Sequence, residues 1–166
     1  TLDSPPENDS DETKDEMVTI TNIQEKRTQE DENSIHVSDE MDAFHFREYL
    51  NANKLDYKSS EITAIIDDVW KITRTYKNMY NRPRPYQIAE AYNMEFDTMY
   101  GKSNKTPAYP SGHSCGARLV AEYLSQKHPK HKEKFFPVYS LNRFGFNAIR
   151  KVMEKNMFCT DFFLSC

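Results

Sequence analysis

The sequence predicts an all-α protein: a compact helical bundle over residues 43–166, preceded by a disordered acidic segment over residues 1–42. Three observations lead there. Apolar side chains recur at three- and four-residue spacing between Ile62 and Tyr80. A second such face follows between Leu119 and Leu124. Charge is divided unequally, with 14 acids and 3 bases in residues 1–42, a net −11 that leaves +7 for the remainder of a chain whose total is −4.

The chain has 166 residues, 37% of them apolar and 29% charged, and a mean hydropathy of −0.85. That allows one modest domain plus a segment that does not fold. Residues 1–42 lack aromatic residues, and their few apolar side chains cannot offset the entropy of ordering the backbone. This segment, which includes His36, is therefore expected to be a solvated acidic tail. No run of about 18 apolar residues occurs, so no spanning helix is expected. No signal peptide is visible, although a chain that starts at Thr1 is open to having lost its N-terminus. Cys115, Cys159 and Cys166 are odd in number and lack a metal-type spacing, which suggests reduced thiols and no metal site.

In "MDAFHFREYL", residues 41–50, a short amphipathic helix is expected, with Phe44, Tyr49 and Leu50 as core and His45 given no function. Ser60 is a candidate cap for a long helix reaching about Asn81, with Ile62, Ile65, Ile66, Val69, Trp70, Thr73, Tyr76 and Tyr80 on one face. Lys77 lies four residues beyond Thr73 and seven beyond Trp70, so it projects from that inward face. Two readings are open for it: a stem snorkelling at the helix end, or an ammonium that meets an anionic partner.

"YNRPRPYQIAE", residues 80–90, stops that helix. Pro83 and Pro85 push Arg82 and Arg84 out of the helical region and remove two backbone donors. A stiff extended turn is a good mount for a guanidinium fork; an ordinary helix stop with solvated charges is the alternative. In "GKSNKTPAYP", residues 101–110, Lys102 and Lys105 belong to a surface loop. "TPAYPSGHSCGARLVAEYLSQKH", residues 106–128, then places Ser111, Gly112 and His113 at the start of a second helix. Free N–H groups and the positive dipole end suit an oxyanion there. Ser111 can donate a hydroxyl, Gly112 permits close approach, and His113 stands seven residues before Val120, facing inward. A capped helix with a core histidine is the plainer reading of the same four residues.

Lys77, six residues, Arg84-Pro85, 24 residues and then Pro110-Ser111-Gly112-His113 resembles the first two signatures of the type 2 phosphatidic acid phosphatase and vanadium haloperoxidase superfamily. Among its branches the chain is most similar to the soluble bacterial class A nonspecific acid phosphatases. The signatures span residues 77–113, and the helical pattern extends the resemblance over residues 43–166. The resemblance implies a helical bundle with an interior phosphate pocket, and a small phosphorylated substrate in place of nucleic acid or membrane as partner. It implies Lys77, Arg84, Ser111 and the Gly112 amide as phosphate ligands and His113 as general acid, with Arg84 facing the pocket and Arg82 facing solvent.

The family's third signature is Ser-Arg, five residues, His, three residues, Asp, in which the histidine attacks phosphorus and the aspartate orients it. Here "RKVMEKNMFCTDF", residues 150–162, puts Arg150 and Lys151 in the first two places, Met157 at the nucleophile and Asp161 at the aspartate. Asp161 is thus the expected orienting carboxylate and Arg150 an additional phosphate ligand. Met157 cannot form a phosphohistidine. Three readings account for this: a degenerate member that binds phosphate without turnover, a C-terminal end altered by frameshift or truncation, or another histidine in the site. His128 and His131, the spare candidates, are expected on a solvated basic surface. A vanadium haloperoxidase is a further reading, with the same missing ligand. No cofactor is expected for a phosphatase of this type.

Overall fold

The computed structural model describes residues 3–40, 43–99 and 101–135. Among them there is no strand, and six α-helices carry the architecture: α1 Asp11–Gln24, α2 Gln29–Glu40, α3 Phe44–Ala52, α4 Ser59–Tyr80, α5 Pro85–Ala91 and α6 Gly112–Lys127. Short 3-10 turns occupy Lys102–Lys105 and Pro129–His131. No described helix is long and apolar enough to cross a membrane.

The apolar stripe of the long helix is placed as its spacing requires. Ile62, Ile66, Val69, Thr73 and Lys77 are buried along α4, at successive intervals of three or four residues on one face. They meet α6, whose Val120, Ala121 and Leu124 are fully buried. Phe46 and Leu50 of α3 and Phe135 close the same core, and each such large apolar side chain removed from water contributes about 1.5–3 kcal/mol. The helix begins one residue before Ser60, with Lys58 at the cap position and no side-chain cap. It ends at Tyr80 because Asn81 turns left-handed, φ 45° and ψ 38°, with its N–H bonded to the Lys77 carbonyl. The prolines therefore hold the exit of a helix that Asn81 has already terminated.

The expected disorder of residues 1–42 does not hold for the described part. Ser10 Oγ accepts from Thr13 N at 3.2 Å, and Asp11 and Glu12 stand in the first turn of α1, where acids favour the positive dipole end. Met17 is buried against Ile88 and Ala89 of α5, with Tyr92, Met94 and Phe96 around them. Charges are matched across the boundary as well: Glu16 pairs with Arg82, and Arg27 with Asp97. Composition alone misses this because the segment's ordering cost is offset by docking onto a basic domain.

Three further expectations change. Arg82 does not face solvent; its side chain is 10% exposed. His128 and His131 are engaged: His131 Nδ1 lies 2.9 Å from the Tyr49 hydroxyl, and His128 Nε2 lies 2.7 Å from the Asp56 carbonyl. They fasten the end of α6 to α3 and the loop after it. Cys115 is disulfide-bonded, against the expectation of reduced thiols; three cysteines leave room for one such bond.

Candidate functional site

Lys77 comes from the last turn of α4 and is 3% exposed. Its Nζ donates to the carbonyl of Pro107. An ammonium has three donors, and this bond uses one. Burial lowers its pKa from 10.5 to about 8, with the positive charge of Arg84 adding to the effect. Two cations are thus close enough to repel each other in a poorly solvated place.

Arg84 is set by the backbone around it. Its φ of −74° and ψ of 155° are extended, as Pro85 requires, and its N–H donates to Gln87 Oε1 at 2.8 Å across the start of α5. Its guanidinium turns to the loop that leads into α6. Nε donates to the Thr106 carbonyl at 2.7 Å, and one terminal nitrogen lies 3.3 Å from Thr106 Oγ1. Lys77 and Arg84 therefore converge on consecutive residues, 107 and 106. A further backbone bond, Ala108 N to the Arg82 carbonyl at 2.9 Å, ties the Arg-Pro turn to the same loop.

That loop continues through a cis Tyr109–Pro110 bond to the N-cap of α6. Ser111 Oγ accepts from Ser114 N at 3.3 Å, which leaves the hydroxyl hydrogen available for donation. Gly112 is buried and close-fitting. A Cβ added there would stand 3.1 Å from Trp70 Cζ3, 3.3 Å from Trp70 Cε3 and 3.4 Å from Thr73 Oγ1. The glycine thus lets α6 start against α4, at Thr73, one turn before Lys77 on the same face. His113 follows, half-buried, its ring edge-on to Trp70 with centroids 5.5 Å apart and planes at 84°.

Of the sequence-predicted residues, Lys77 and Arg84 are brought together on the 106–107 loop, and Ser111, Gly112 and His113 form the adjoining helix start. Arg150 and Asp161, with Lys151 and Met157, lie outside the described residues. Sequence reasoning missed the Thr106 and Pro107 carbonyls, which leave no side-chain signature. It also missed the role of Thr73 and Trp70 in seating Gly112, for which the shared helical face was the available signal. Chemically, two cations, a serine hydroxyl and the Gly112 amide can hold a tetrahedral oxyanion, and an imidazole at the same helix start can transfer a proton. Comparison with family models, with curated proteins and with solved structures finds no match to this chain.

Proposed function

We propose that the chain is a phosphatase-like domain of the type 2 phosphatidic acid phosphatase and vanadium haloperoxidase superfamily, with the acid phosphatase kind of helical bundle, and that its site takes the phosphate group of a small monoester. The observation that carries this reading is the convergence of Lys77 and Arg84 on the loop that enters α6. Burial and the neighbouring Arg84 charge disfavour the ammonium of Lys77, and a bound phosphate would favour it. In this reading Lys77 and Arg84 neutralise the phosphoryl oxygens, Ser111 and the Gly112 amide donate to them, and His113 protonates the leaving alkoxide.

A second reading, phosphate binding without turnover, is favoured by one specific residue. Met157 occupies the place of the family's nucleophilic histidine, and a thioether cannot form a phosphohistidine. Hydrolysis of p-nitrophenyl phosphate by the wild type and by Met157→His separates the two. A nucleophile lost by substitution predicts that Met157→His raises turnover above the wild type. No gain would mean that residue 157 does not reach the site.

A further inference from the structure

The acidic helix α1 grips the polypeptide on both sides of Arg84. On the earlier side, Glu16 Oε2 lies 2.6 Å from a terminal nitrogen of Arg82, a pair with side chains only 10% and 11% exposed. The same nitrogen stands 3.5 Å from Thr13 Oγ1, and Thr13 is itself buried. The Arg82 carbonyl accepts from Ala108 N at 2.9 Å, so residue 82 is fixed by side chain to α1 and by backbone to the loop that receives Arg84. On the later side, Met17, the neighbour of Glu16, packs on Ile88 and Ala89 of α5. Arg84 stands between these anchors, joined to residue 82 only through Pro83, which has little backbone freedom.

We propose that Glu16 is a positioning residue for the phosphate site: by holding Arg82 it fixes the turn that aims the Arg84 guanidinium. The inference rests on the reading of the Lys77–Arg84 cluster as a phosphate site. Its consequence is that a helix distant in sequence sets the affinity of a pocket to which it contributes no ligand.

Titration calorimetry of the full chain with orthophosphate tests it, with folding of each variant checked by circular dichroism well below its melting temperature. Glu16→Gln should weaken phosphate binding roughly tenfold, as losing the partner that orients a ligand-bearing group does. The charge exchange Glu16→Arg with Arg82→Glu should restore affinity to within roughly threefold of wild type, because the restored pair holds the same turn. A merely structural contact would lower the melting temperature of Glu16→Gln and leave the dissociation constant of the folded molecules unchanged. If Glu16→Gln does not fold, Glu16→Asp, which keeps the charge but withdraws it by one methylene, takes its place with the same two outcomes. Wild type that binds phosphate, loses it in Arg84→Ala and keeps it in the folded Glu16 variant would overturn the positioning role alone. Wild type that binds no phosphate would overturn the site reading, and the positioning role with it.

Discussion

Lys77 and Arg84 donate to the carbonyls of neighbouring residues, Lys77 Nζ to Pro107 and Arg84 Nε to Thr106. One comes from the last turn of a long helix and the other from the extended turn after it. The loop they share is the one that opens α6, so two cations and a helix start are brought to one place by a single short connection.

Lys77 gives this cluster a pH signature. Its folded pKa, about 8, lies below its unfolded value, so in the window from about 8 upward the unfolded chain binds more protons at this residue and its contribution to stability rises with pH. In the proposed reading anion binding has the opposite sign, because a phosphate held there needs the ammonium. Affinity for phosphate should fall by up to about tenfold per pH unit above about 8. Lys77→Met should abolish that slope together with most of the binding, while melting no lower than wild type at pH 7. Calorimetry between pH 6.5 and 9.5 checks the first and thermal melting the second.

Arg84 should not tolerate a conservative exchange. Its fork reaches both the carbonyl and the hydroxyl of Thr106, whereas a lysine presents a point charge. Arg84→Lys should keep the net charge yet weaken phosphate binding by about 1.5–3 kcal/mol, the scale of a charge-assisted hydrogen bond. Equal affinity in the two proteins would mean that charge alone matters there.

Gly112 is a packing requirement as well as a helix start. With a Cβ only 3.1 Å from Trp70 Cζ3, Gly112→Ala should destabilise by about 1–3 kcal/mol through overpacking. Trp70→Leu removes the obstructing ring edge. Urea unfolding of both single variants and the double should therefore show the alanine costing less in the Trp70→Leu background than in the wild type.

Leu124→Ala probes the core that carries the site. Leu124 is fully buried between α4 and α3 residues, and its truncation should cost about 2–5 kcal/mol. The urea midpoint is the readout.

Much of this can be read from the sequence, and the reasons are local. The period of Ile62, Ile66, Val69, Thr73 and Lys77 defines a face, and burial follows it residue by residue. Ser111 is legible as a cap because its hydroxyl needs only Ser114 N, three residues on. What is not legible is long-range. Arg82 reads as solvated because its partner Glu16 is 66 residues earlier. The N-terminal segment reads as disordered because its few apolar side chains, Met17 above all, are useful only against Ile88 and Ala89. His128 and His131 read as surface residues for the same reason, their partners lying 72 and 82 residues away.

Orthovanadate binding by titration calorimetry at pH 7, with wild type and Arg84→Ala compared under the same salt, tests the Lys77–Arg84 site most directly. A site built on Lys77, Arg84 and the start of α6 predicts saturable one-to-one binding in the wild type and a loss of at least roughly tenfold in the variant, the scale of one charge-assisted hydrogen bond. Binding of equal strength in Arg84→Ala, or no binding to the wild type, would contradict it.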